Sequence, residues 1–226
     1  MLFGNPELFD LARSAKLRKH KLVGGLAELR NWISSEFNVS VVHIVHDAID
    51  IGPHTGRPRL NIILETDNDY HSWKTDVITI RPDVRDKVLR KFASIAKRYP
   101  DLPAENVHLI LDNFSDQCLV QACYAILEAK AGVETDAEQI VNHFNFVPIW
   151  QIDGWAREIV VFLHTDEDIQ QRTDDGTCQL IADACFKAVK QYDEFNYLSV
   201  TTFRLRFDSK QNLDKNYKGN LLNYWR

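Results

Sequence analysis

The chain has 226 residues, a formal net charge of −5, and 45% hydrophobic and 26% charged residues, the balance of a soluble globular protein and not of a disordered or collagen-like one. No apolar run approaches the roughly 18 residues needed to span a bilayer, and Met1-Leu-Phe-Gly-Asn-Pro-Glu lacks the basic start and apolar core of a signal peptide. Four cysteines (Cys118, Cys123, Cys178, Cys185) without a Cys-x-x-Cys spacing lead to the expectation of a cytoplasmic protein with no disulfide or zinc framework.

Asn5-Pro6-Glu7 reads as an N-cap, a proline at the first helical position and a first-turn acid. The helical region that follows runs to Phe37 and contains Gly24-Gly25. Glycine costs about 1 kcal/mol relative to alanine within a helix, so a break into two helices is expected there. Val39 to Ile51 is rich in β-branched residues and reads as a strand. Gly52-Pro53-His54-Thr55-Gly56 is a turn, and Arg59 to Thr66 alternates as the return strand of a hairpin. Asp76 to Ile80 reads as a short third strand. Pro82 opens a helix whose Val84, Val88, Phe92 and Ile95 form an apolar stripe, and Asn106 to Leu111 is a further strand.

In the second half, Ser115-Asp116 caps a helix carrying Cys118, Leu119, Ala122, Cys123 and Ile126 on one face. Thr135-x-x-Glu138 is a capping-box pattern. Phe146 to Ile152, a turn at Asp153-Gly154 and Arg157 to His164 form a second hairpin. A helix after Thr173-Asp174-Asp175 and a strand from Leu198 to Phe207 follow. The apolar tail, Asn220 to Arg226, is expected to dock on the body.

The second series repeats the first. Ile62-Ile-Leu-Glu-Thr-Asp-Asn-Asp69 faces Val161-Phe-Leu-His-Thr-Asp-Glu-Asp168, and shorter matches on either side keep the same order. The expected fold is α+β: two similar helix–hairpin–helix–strand units, residues 1–112 and 113–226, arising by internal duplication and fused into one compact body. Its sheet is expected to be mainly antiparallel, with helices packed on one face.

Residues 1–112 hold 16 Lys and Arg against 15 Asp and Glu, while the second half holds 11 against 17. Neither half has the net basic footprint of a nucleic-acid-binding domain. Two basic clusters remain, one at Arg13, Lys16, Arg18, Lys19 and Lys21, the other on the wet face of the helix after Pro82.

Asp67, Asp69, Asp166 and Asp168 are the candidate metal ligands, since carboxylates two residues apart can supply oxygens to Mg²⁺ or Mn²⁺. The same Thr-x-x-Asp spacing also closes a strand and caps a helical turn. Asp50, Glu65 and Asp67 form a nuclease-like alternative, because the order of elements in the first half resembles that of restriction-endonuclease-like nucleases. That resemblance implies a lysine where Asp67 stands. His43 and His46, three apart on a strand, point to opposite faces. Trp150, Trp155, Tyr224 and Trp225 form a candidate partner surface.

These features favour a non-catalytic binding or regulatory protein that acts through a protein–protein surface and uses no cofactor, a profile that a bacterial immunity or accessory protein fits. A protein partner is expected, a membrane or nucleic acid is not, and a homo-oligomer is compatible with the composition. The alternative is a divalent-metal-dependent hydrolase or nuclease using Mg²⁺ or Mn²⁺.

Overall fold

The computed structural model describes residues 5–50, 52–129 and 131–226. Residues 1–4 and Ile51, the end of the expected first strand, lie outside them. The chain divides into two compact units, Met1–Gln117 and Cys118–Arg226.

In the first unit, the Asn5 side chain accepts the Leu8 N–H at 3.0 Å and starts α1 (Pro6–Lys16), satisfying one of the orphan donors of a helix start. The glycine pair opens α2 (Gly24–Phe37) instead of interrupting a helix. A Cβ on Gly25 would lie 2.7 Å from Leu102 Cδ1 and 2.8 Å from Tyr99 Cδ2, so the pair serves close packing at a helix start. Asn38 ends α2 in the left-handed region, φ 51°.

Strand β1 (Val41–Ala48) pairs antiparallel with β2 (Pro58–Leu64), and β2 pairs parallel with β3 (His108–Asn113). The sheet is therefore mixed and not mainly antiparallel. The long crossover through α3 (Asp67–Ser72) and α4 (Pro82–Ala96) supplies the length that a parallel return requires. The expected strand at Asp76–Ile80 is a tight loop closed by a single bridge, Lys74 to Ile80.

Ile44, Leu60, Ile62 and Leu64 meet Leu29 and Ile33 of α2 and Phe92 and Ile95 of α4 in one core. Ile63 lies between two of these core residues along β2 and so faces the other way, yet it is fully buried. Helix α1 packs against β1, with Leu8 and Ala12 buried. Helices thus cover more than one face.

The division between units falls inside α5 (Phe114–Ala125). In the second unit, α6 (Asp136–His143) starts with the capping box formed by Thr135 and Glu138. Strand β4 (Ile149–Trp155) pairs antiparallel with β5 (Glu158–Leu163). Asp153 and Gly154 lie within β4, and the turn is Ala156-Arg157, with Ala156 at φ 53°. After α7 (Asp166–Asp174) and α8 (Thr177–Gln191), β6 (Arg204–Ser209) pairs parallel with β5, starting six residues later than Leu198. The chain then forms α9 (Lys210–Tyr217) and α10 (Leu221–Tyr224).

One face of this second sheet (Ile152, Ile159, Val161, Leu163) packs on Ile140 of α6 and Ile181, Cys185 and Val189 of α8. The other face, Val160 and Phe162, is covered by Leu213 and Tyr224, with Trp150, Tyr217 and Trp225 around them. The tail docks, and the sheet is clothed on both faces. Among the described residues, no helix is long and apolar enough to cross a membrane.

Candidate functional site

Parallel pairing brings the carboxyl ends of β2 and β3 to one edge of the first sheet, the edge at which ligands bind in open α/β sheets. Thr66 and Asp67 follow β2 there. Thr66 Oγ1 accepts the Asp69 N–H at 3.1 Å, and Asp69 Oδ2 accepts the Ser40 N–H at 3.1 Å. Asp67 Oδ1 accepts from Asn113 Nδ2. Asn113 Oδ1 in turn accepts Ser115 Oγ and the Asp116 N–H, which starts α5. Glu65 accepts Lys16 Nζ on one oxygen and Ser40 Oγ on the other.

The corresponding edge of the second sheet repeats this arrangement. Thr165 and Asp168 form a full capping box at the start of α7. Asp166 Oδ1 accepts Ser209 Oγ, and Ser209 Oγ accepts the Asn212 N–H to start α9. Asp69 and Asp168 therefore accept backbone N–H groups, while Asp67 and Asp166 tie the end of one strand to the next. Within each unit the two aspartates occupy the start of one helix. Among the described residues, no group of three or more His, Cys, Asp or Glu side chains is placed to hold a metal ion.

The nuclease-like trio is not brought together. Asp50 lies beyond Ala48 at the turn end of the first hairpin, whereas Glu65 and Asp67 follow Leu64 at the opposite end, where Leu64 pairs with Val41. At about 3.3 Å per strand residue the two ends are about 20 Å apart, too far for one carboxylate site.

The four aromatic residues divide between packing and exposure. Tyr224 is buried, its hydroxyl donating to Asp208 Oδ2 at 2.5 Å and accepting from Arg206 Nη1. Burial and the Asp208 carboxylate hold its ionisation well above the ordinary tyrosine value. Trp225 Nε1 donates to Asp153 Oδ2 at 3.1 Å, and Trp150 stacks edge-on against Phe162. Trp155, beside the β4–β5 turn, is the one of the four with a largely exposed side chain.

His46 packs on Phe92 and its Nε2 meets the Pro103 carbonyl, while His43 sits on the other face, its ring edge-on to His20 at 5.1 Å. His43 is 3% exposed, and its Nδ1 has no hydrogen-bond partner. Burial, aided by the charges of His20 and Arg30, lowers its pKa to about 4. All four cysteines are buried and none is in a disulfide, and burial pushes the thiols of Cys123 and Cys185 up to about 12. At neutral pH these two are packing groups and not nucleophiles.

Two surface features escaped sequence reasoning. The first is a cleft of about 530 Å³ between the α1–α2 connection, α2 and the start of β1. The basic run at 13–21 was visible in the sequence, but the arrival of Arg30 from α2 was not. The second is the loop at Asp76–Ile80. Asp76 Oδ1 accepts the N–H groups of Ile78 and Thr79 at 2.8 and 2.7 Å, and Thr75 N–H bonds the Thr79 carbonyl at 3.0 Å. Lys74 Nζ donates to the Val77 carbonyl. At its tip Val77 and Ile78 are 85% and 82% exposed. An apolar pair after Asp looks the same in sequence whether it pairs as a strand or stands on a loop.

No protein-family model matches the chain, and no curated protein sequence or solved structure is significantly similar to it.

Proposed function

We propose that the chain is a non-catalytic binding or regulatory protein that acts through a protein–protein surface centred on the Val77–Ile78 loop. The observation that carries this reading is that loop's combination of order and exposure. Two β-branched side chains stand in solvent on a backbone braced by Asp76, Thr75 and Lys74. Fully burying such a side chain contributes about 1.5–3 kcal/mol, and a loop already ordered loses little entropy on binding. Trp73, buried at its base, ties the loop to the first core. The bonds that the Asp69 and Asp168 carboxylates accept from the Ser40 and Thr165 N–H groups support the binding reading over the metal-dependent one, because they give these carboxylates a structural use.

The test is paired capture with wild type and a Val77→Ser/Ile78→Ser variant from an extract of the source cells. The expected result is a partner retained by wild type and lost by the variant, at equal melting temperature. Identical retention by both proteins would remove the loop from the proposal.

We also infer that the two units arose by internal duplication. Support comes from three shared features: one antiparallel and one parallel strand pair in each sheet, a register shift near the start of β1 and β4, and equivalent backbone bonds from Ser115 N–H to Glu65 and from Gln211 N–H to His164. Superposing β1–β3 on β4–β6 in a crystal structure of the protein tests this reading. Strands that do not overlay in both registers would exclude it.

A further inference from the structure

We propose that the cleft between the α1–α2 connection, α2 and β1 binds a small phosphate-bearing molecule. Its lining brings together Lys16, Arg18, His20, Lys21 and Arg30 with one carboxylate, Glu65. The local fold causes this convergence. After α1 the chain reverses, with Arg18 in the left-handed region at φ 59° and the Lys19 N–H returning to the Ser14 carbonyl at 2.8 Å. That reversal turns the basic run back toward Arg30 on α2.

Several cations elsewhere in this unit are neutralised, Arg59 by Asp47, Arg81 by Asp83, Lys87 by Glu36 and Arg98 by Glu28, although Arg90 and Lys97 stand exposed on or just after α4. Among the described residues, Arg18, Lys21 and Arg30 have neither an ion-pair nor a side-chain hydrogen-bond partner. Like charges gathered in a concavity repel one another and concentrate positive potential there. Leu22, Val41 and Val42 line the same cleft, and such apolar walls strengthen an ionic contact by lowering the local dielectric.

A buried orphan nitrogen belongs to the neighbour of one lining residue. His20 lines the cleft, and its ring meets that of His43, whose buried Nδ1 the protein leaves without a partner. A polar atom buried without a partner is costly, and native proteins keep few of them.

The size and charge pattern select the ligand class. A volume of about 530 Å³ is that of a small-molecule site. Residues 1–112, with 16 Lys and Arg against 15 Asp and Glu, lack the net basic footprint of a nucleic-acid-binding domain. Arginine and lysine together suit phosphate oxygens, arginine through its planar fork and lysine as a point charge. Glu65 opposes such a ligand by holding Lys16, and it sets the affinity.

Isothermal titration of the full chain with pyrophosphate, ATP and adenosine at low salt tests this assignment. Saturable binding of pyrophosphate or ATP, but not of adenosine, is expected, and tighter ATP binding would show that the apolar wall takes the base. Arg18→Ala/Arg30→Ala should raise Kd about tenfold or more, the effect of losing charge-assisted hydrogen bonds. Glu65→Gln should lower Kd, and Arg85→Ala, on α4 and paired with Asp86, should leave it unchanged. Circular dichroism checks that each variant is folded. Three outcomes would overturn the proposal: no saturable binding of either phosphate compound, binding indifferent to the cleft variants, or an equal loss in Arg85→Ala.

Discussion

Replacing His43 with leucine separates the energetics of the first unit's second sheet face from the rest of the molecule. His43 is 3% exposed and its Nδ1 has no partner. Burial first, then His20 and Arg30, lowers its pKa from 6.5 to about 4. The unfolded chain takes up this proton near pH 6.5, and the folded chain only near pH 4. Between those values the unfolded state binds more protons, so stability falls as pH falls. Relative to neutral pH the loss is about 1.4 kcal/mol near pH 5.5 and about 2.5 kcal/mol near pH 4.5, as upper values. Leucine fills a similar volume and removes the orphan nitrogen, so at neutral pH the variant should lie within about 1 kcal/mol of wild type. His46 and His108 are also lowered by burial and titrate in the same sense, so the quantity to measure is the difference between the two proteins. Urea unfolding at several pH values between 4.5 and 7.5, followed by tryptophan fluorescence, supplies it through Trp73, which is buried in the same unit. The expected result is a variant that gains on wild type steadily as pH falls. Parallel loss of stability in both would refute the claim that burial holds this imidazole neutral.

Thr165→Ala removes the capping box of α7 and should cost about 1 kcal/mol, with no restoration by Mg²⁺ or Mn²⁺. A metal-dependent rise in melting temperature that disappears in Asp67→Ala or Asp166→Ala would instead establish the metal-dependent reading. Cys123 and Cys185, with thiols held up to about 12 by burial, should resist a thiol reagent at pH 8 in the native protein and react in urea. Rapid native labelling of either would contradict that burial. Tyr224→Phe leaves Asp208 and Arg206 without the hydroxyl that joins them, and a loss of about 1–3 kcal/mol is expected in thermal unfolding. No change in melting temperature would show that the hydroxyl contributes nothing to docking α10.

Short-range chemistry was legible in the sequence. Asn5, Thr135 and Thr165 cap helices through bonds to residues three positions on, and both partners of each bond sit in one short stretch of sequence. The runs Leu60–Leu64 and Ile159–Leu163 announced strands because few polar residues interrupt them. Their burial on both faces accounts for the continuous apolar runs Ile62–Leu64 and Ile159–Leu163 and corrects the one-sided alternation read for Arg59 to Thr66. The third strand of each sheet was found in sequence, but its parallel partner was not. Pairing β3 with β2 and β6 with β5 is decided by where the crossover helices pack, and no residue within the strand encodes that choice.

The same limit governs the candidate sites. Arg18 lies in the reversal after α1 and Arg30 on α2, and only that reversal brings them to one cleft. Asp50 and Glu65 are close in sequence, but an extended hairpin places them at opposite ends. Trp150, Tyr224 and Trp225 carry the composition of an interface, yet the tail returns over its own sheet and uses them there. Local hydrogen bonding and periodicity are properties of neighbouring residues and survive in the sequence. Which apolar face covers which, and which cations end up unpaired, depends on contacts across tens of residues that only the folded chain makes.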